Sequence, residues 1–157
     1  MSSLPTIRRA QSTDLAAALA LLQGAGLPTA DLTSAVSLHM WVLLAEGSLV
    51  GVVGMERFGE RALLRSLAVE PSHQQRGMGQ LLVDRLEREA QADGVEQLVL
   101  LTETAEKFFR AIGYEVIDRG DVPDEIKQSA EFRSLCPASA ACMSKLLTSS
   151  HARELHG

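Results

Sequence analysis

The sequence predicts an α/β (α+β) fold in which a mixed central β-sheet carries helices on both faces. Two observations point there. Apolar strand-like runs and amphipathic helical stripes follow the order β, α, hairpin strands, β-α-β-α-β and a last strand. A glycine turn, Gln74-Gln75-Arg76-Gly77-Met78-Gly79-Gln80, lies between the apolar run Leu67-Ala68-Val69 and a long amphipathic stripe. Parallel strands flanking that turn would open a crevice at their carboxyl ends, the usual place for a ligand.

Thr6 to Arg9 reads as a first strand. Ser12 or Thr13 caps a helix whose Leu15, Ala18, Leu19 and Leu22 form one stripe, ended by Gly24-Ala25-Gly26-Leu27-Pro28. Residues 29–39 allow a second short helix over the site. Met40–Leu44 and Leu49–Met55 are strands joined by Ala45-Glu46-Gly47-Ser48, a hairpin signal. Arg57 to Arg61 makes another turn, and Ala62 to Val69 is the next strand. From Gly77 to Ala92 a helix turns Met78, Leu81, Leu82 and Leu86 inward, and Asp93-Gly94 stops it. Gln97 to Leu101 is a buried strand. Ala105, Phe108, Phe109 and Ile112 stripe another helix, ended by Gly113. Tyr114 to Asp118 and part of Ala138 to Leu147 complete the strands.

Composition narrows the class. At 157 residues the chain can bury a full core, and one domain over 1–157 is expected, with a frayed polar tail at 148–157. A net charge of −5 lends no support to nucleic acid or an anionic membrane as partner. The run from Met40 to Ala45 falls far short of the ~20 apolar residues that a span needs. Two cysteines, Cys136 and Cys142, and no secretory pattern point to a reduced, cytoplasmic setting. Their spacing is not that of common metal pairs, so no metal is expected.

The glycine turn is the chemical centre. Gly77 and Gly79 leave backbone N–H groups open to a ligand, and the helix behind them aims its positive dipole end at the same place. A phosphate or pyrophosphate suits such a site.

Gln74-x-x-Gly77-x-Gly79 in this setting resembles the acetyl-CoA motif of the GCN5-related N-acetyltransferase (GNAT) superfamily. Ala105-Glu106-Lys107-Phe108-Phe109-Arg110-Ala111-Ile112-Gly113-Tyr114 resembles its second hallmark, a helix ending in glycine plus an aromatic. Val122-Pro123 and Ser129 to Ala140 look like the arsenic-resistance N-acetyltransferases of the second ArsN type, and distantly like the acetyltransferase domain of N-acetylglutamate synthases. The resemblance implies a splayed central sheet, and acetyl transfer from acetyl-CoA, in a ternary complex, to the α-amine of a small anionic amino acid, arsinothricin-like or glutamate-like. Relatives in the superfamily are often dimers, so a homodimer stays open.

For the cosubstrate, the resemblance implies backbone contacts from Leu67, Ala68 and Val69 to the pantetheine arm. It places the pyrophosphate on backbone N–H groups of Gln75, Arg76, Gly77, Met78, Gly79 and Gln80, and adds Gln74, Thr104, Phe108 and Phe109 as cosubstrate contacts. Arg76 is equally readable as a solvated turn arginine. Arg65 with Ser66, and Arg133 with Ser134, are the candidates for the acceptor, because a guanidinium fork pairs with a carboxylate, arsinate or phosphinate. Arg65 also reads as a solvated or salt-bridged strand residue.

Many relatives carry a tyrosine acid four residues before the helix-ending glycine, where this chain has Phe109. Thr102 or Thr104, water, or unassisted departure of the thiolate would replace it. Glu103 is the candidate base, against a reading as a helix-dipole charge; His73 is a second, more ordinarily solvated. The missing tyrosine also admits a non-catalytic acyl-CoA-binding regulator. Cys136 and Cys142 admit an arsenite-binding protein, although packing is the more ordinary role of a buried cysteine.

Overall fold

A computed structural model describes residues 5–27, 29, 38–74, 77–129 and 140–147. Its sheet has seven strands in the order β1-β2-β3-β4-β5-β7-β6: β1 (Thr6–Arg9), β2 (Leu38–Ala45), β3 (Ser48–Phe58), β4 (Arg61–Val69), β5 (Gln97–Thr102), β6 (Glu115–Val116) and β7 (Ala141–Leu146). The helices are α1 (Leu15–Gly24), α2 (Met78–Ala92), α3 (Glu106–Ala111) and α4 (Asp124–Lys127). This is the expected mixed α+β architecture. The chain divides into two compact units, Met1–Glu56 with Leu64–Leu86, and Arg57–Leu63 with Glu87–Gly157.

In the first unit β1 runs antiparallel to β2, from Thr6↔Leu44 to Arg9↔Trp41. The β2–β3 hairpin closes on Ala45↔Ser48 through Glu46 and Gly47, both at positive φ. That is the primed turn whose twist suits a two-residue loop. Ala18 and Leu22 of α1 pack with Val42, Val52 and Ala68 into the core of this unit. The start of α1 differs from expectation. Ser12 to Asp14 form one 3₁₀ turn, and the carboxylate of Asp14, not a hydroxyl, organises it. It accepts from the Gln11 N–H (2.7 Å) and from both Arg8 Nη atoms (2.6 and 3.1 Å). Charge-assisted bonds of this kind outcompete a serine or threonine cap.

On α2, Leu82, Val83, Leu86 and Ala90 are buried, as expected for Leu82 and Leu86, but Leu81 is 43% exposed. At 100° per residue the buried four fill one arc, and Leu81 lies beyond its edge.

In the second unit β4 and β5 run parallel over Arg61↔Gln97, Ala62↔Leu98 and Leu63↔Val99. β7 inserts antiparallel between β5 and β6, from Gln97↔Leu146 to Thr102↔Ala141. The strand expected over Tyr114–Asp118 is cut to two residues. At its start the Tyr114 N–H closes the end of α3 on the Phe109 carbonyl (2.9 Å). At its end the Asp118 side chain accepts from the Gly120 N–H (3.2 Å) and turns the chain. Leu63, Val99, Val122, Ile126 and Cys142 form the core here. α4, which supplies Ile126, is too short for any periodicity to announce it.

Candidate functional site

The turn between β4 and α2 is built by its own residues. Pro71 to His73 make a 3₁₀ turn, after which Gln74 Nε2 donates to the Val69 carbonyl (2.9 Å). Gln74 thus ties the end of the strand to the start of the glycine segment. Gly77 stands at φ +77°, where an L side chain is strained, and a Cβ there would meet only open space. Its carbonyl accepts from the Leu81 N–H (3.1 Å), closing the first turn of α2. The amides of Met78, Gly79 and Gln80 therefore stand at the open end of the helix. The first turn of α2 carries no acidic side chain, so no internal anion competes for its dipole. Gln75 and Arg76 lie outside the described residues.

His73 belongs to a surface network in the same turn. The Ser72 hydroxyl donates to Glu70 Oε1 (2.6 Å), and His73 Nδ1 lies 3.0 Å from Ser72 Oγ and 3.8 Å from Glu70 Oε1.

On β4, Arg65 is buried, with its Nη1 3.8 Å from Glu56 Oε1 and its Nε donating to Ser66 Oγ (3.2 Å). The salt-bridged reading of Arg65 is the one found; the solvated one is not. A buried guanidinium is tolerable because a carboxylate faces it. Sequence reading missed Glu56, although folding the chain about Gly59-Glu60 brings β3 and β4 together. Ser66 stands at φ +59° within the strand, a left-handed conformation that a non-glycine residue adopts at a cost. Beyond it Leu67 and Val69 are half-buried and Ala68 is buried.

In the second unit the Thr102 hydroxyl accepts from the Ala105 N–H (3.0 Å) and so caps the turn into α3. Glu103 and Thr104 are exposed beside it. Phe109 is buried, and its ring meets Phe108 edge-on at 5.0 Å and Tyr114 edge-on at 5.3 Å. Tyr114 is the only tyrosine in the chain, is 2% exposed, and donates its hydroxyl to Glu87 Oε2 (2.9 Å). The phenol of this neighbouring tyrosine is thus committed to Glu87 and does not take the place of a tyrosine acid at Phe109.

Cys142 is buried, and that burial pushes its thiol up to about 11, with Arg119 pulling it back less and Asp118 adding to the rise. A thiol so placed stays protonated and unreactive at neutral pH. Arg133, Ser134 and Cys136 lie outside the described residues. Among the described residues no group of three or more His, Cys, Asp or Glu could hold a metal ion, and no helix is long and apolar enough to cross a membrane.

A family model described as the acetyltransferase (GNAT) domain matches residues 37–116, about half of the chain. An uncharacterized N-acetyltransferase of Chlorobaculum tepidum is 33% identical over 81 residues, covering 52% of this chain and 50% of that protein. The chain thus spans about half the length of this curated relative. Among solved structures, N-acetylglutamate synthase from Neisseria gonorrhoeae, complexed with coenzyme A and N-acetyl-glutamate, is similar with a TM-score of 0.80 at 20% identity. The similarity covers 95% of this chain and 36% of the synthase. The Mycobacterium tuberculosis protein Rv2747, in complex with CoA, has a TM-score of 0.77 at 24% identity, over 91% of this chain and 99% of that one. At these identities the likeness is one of fold.

Proposed function

Since this chain belongs to the acetyltransferase (GNAT) domain family, we propose that it moves an acetyl group from acetyl-CoA to the α-amine of a small anionic amino acid. The observation that carries this reading is the glycine turn at the start of α2. It offers open space at Gly77, free-standing first-turn amides and no competing acid, in the strand–turn–helix setting of the family. A pyrophosphate fits that end of the helix. The β4 segment from Leu67 to Val69 would take the pantetheine arm as an added strand. The Val69 carbonyl already accepts from Gln74 Nε2, which fixes the end of that segment.

When bound, acetyl-CoA supplies the thioester carbonyl that the acceptor nitrogen attacks, and the C–S bond breaks as the new C–N bond forms. The proton lost by the amine ends on the departing sulfur. An α-amine titrates near pH ~8, so a weak base or a water held by Glu103 suffices to prepare it. Thr102 keeps its hydroxyl proton while its oxygen accepts from the Ala105 N–H in the turn before α3, so the backbone already orients this hydroxyl. Holding donor and acceptor together supplies much of the rate.

The acceptor class rests on the resemblance around Arg133. The synthase that shares the fold is complexed with N-acetyl-glutamate, which supports a carboxylate-bearing amino acid as acceptor. Arsinothricin and phosphinothricin keep the α-amino acid and carry a tetrahedral arsinate or phosphinate anion where glutamate carries a planar carboxylate. A thiol-release assay with arsinothricin, phosphinothricin, glutamate and polyamines tests the reading; turnover confined to the anionic amino acids is expected, and turnover confined to polyamines would refute it. Replacement Arg133→Ala should raise KM for the amino acid about tenfold or more, as loss of a charged hydrogen-bond pair does, and spare KM for acetyl-CoA.

A non-catalytic acyl-CoA-binding role is favoured by one observation, the commitment of the sole tyrosine to Glu87. CoA binding without acetyl transfer across a broad amine panel would establish it. Arsenite capture draws no support from Cys142, whose thiol is buried and protonated.

A further inference from the structure

Glu87 on α2, Tyr114 after α3 and Lys145 on β7 meet in one polar cluster within the second unit. Lys145 Nζ donates to Glu87 Oε1 (3.0 Å), to Glu87 Oε2 (3.2 Å) and to the Ile112 carbonyl (2.9 Å). Those three bonds account for all three ammonium protons. The Tyr114 hydroxyl donates to the same carboxylate, and the ammonium lies 5.5 Å from the Tyr114 ring centroid. Ile112 follows the last turn of α3, where a cation is favoured by both the orphan carbonyls and the dipole. Gly113, at φ +104°, makes the approach feasible: a Cβ there would sit 3.3 Å from Lys145 Cε. Side chains of Lys145 and Glu87 are only 27% and 15% exposed, so water screens the pair less than a surface one.

From this cluster a stack of rings leads outward. Tyr114 packs edge-on against Phe109, and Phe109 against the half-buried Phe108. We propose that Lys145, acting through Glu87 and Tyr114, is a positioning residue for the acetyl-CoA side of the reaction. It clamps the C-terminal end of α3 and holds the three-ring stack, which sets where Phe108 and Phe109 stand. The proposal rests on the reading of those two phenylalanines as cosubstrate contacts.

Calorimetric titration with CoA and steady-state kinetics test it together. Lys145→Met should weaken CoA binding and raise KM for acetyl-CoA about tenfold, the scale of a lost charged hydrogen bond, with kcat and the acceptor KM held within about twofold. Lys145→Arg, which keeps the cation, should recover most of the loss. Tyr114→Phe removes only a hydroxyl, keeps the rings, and should shift the same quantities less; it carries the test if the methionine variant does not fold. Unchanged CoA affinity in both variants, or a loss spread evenly over kcat and both KM values, overturns the proposal. If the wild-type chain itself binds no CoA, the reading of the glycine turn falls first and the positioning role with it.

Discussion

Asp14 shows how much one charge can organise and how it can be measured. Hydrogen bonding to Arg8, then to the Gln11 backbone, holds its carboxyl below the ordinary carboxylate value. A carboxyl whose folded value is depressed adds stability that is fully present above the unfolded value, near pH ~4, and is lost as pH falls through the lower folded value. Arg8→Ala should therefore flatten the acid limb of a pH–stability curve below pH ~4 while leaving its shape near neutrality unchanged. Chemical denaturation across that range would show it. Cys142 gives a second, independent reading at this scale. With its thiol pushed up to about 11 chiefly by burial, the native protein should resist alkylation at that residue at pH ~8, and unfolded chains should not. Rapid labelling of Cys142 in the native state would contradict the burial. The packed setting of Cys142 agrees with the ordinary reading of a free cysteine, whereas that of Asp14 was not legible from sequence. Sequence reading put the cap on Ser12 or Thr13 and passed over Asp14, whose partner Arg8 belongs to a different element.

At the scale of elements, the best-read features were those in which one residue type is forced by backbone geometry or by a simple period. Gly77 was legible because only glycine sits easily at φ +77°. The α1 stripe was legible because Ala18 and Leu22 fall on one face. The strand ending at Val69 was legible as an apolar run, but the left-handed Ser66 inside it was not. Nothing in Leu64-Arg65-Ser66-Leu67 departs from an ordinary strand; the conformation is imposed by tertiary surroundings. A β-branched residue tolerates φ +59° worse than serine does. Ser66→Val should cost about 1–3 kcal/mol of stability, and Ser66→Gly should cost far less or stabilise. Equal melting temperatures for the two variants would argue against strain at this position. The same logic explains the misread Leu81 and the shortened β6. Periodicity assigns a face only to the nearest residue, and a strand's length depends on caps and turns that lie outside its run.

For the whole molecule, the order of elements and the mixed sheet were readable because alternating periods of two and 3.6 survive in a chain of this composition. The polar cluster of Glu87, Tyr114 and Lys145 was not, since its members are up to 58 residues apart. Sequence singled out Tyr114 only as the aromatic after a glycine; its hydroxyl partner lies on another helix. The candidate site divides in the same way. The glycine turn proposed to hold the pyrophosphate is local in sequence and could be read from a dozen residues. The buried Arg65–Glu56 pair was not readable, because it joins side chains of two different strands.

The most direct test of acetyl transfer to an anionic amino acid is a competition. Purified protein is given acetyl-CoA and an equimolar mixture of glutamate, phosphinothricin, alanine, lysine and spermidine, and the products are identified by mass spectrometry. The account predicts that acetyl appears on the α-nitrogen of glutamate or phosphinothricin ahead of the others. Acetyl found only on spermidine or on a lysine side chain, or nowhere although CoA binds, would contradict it.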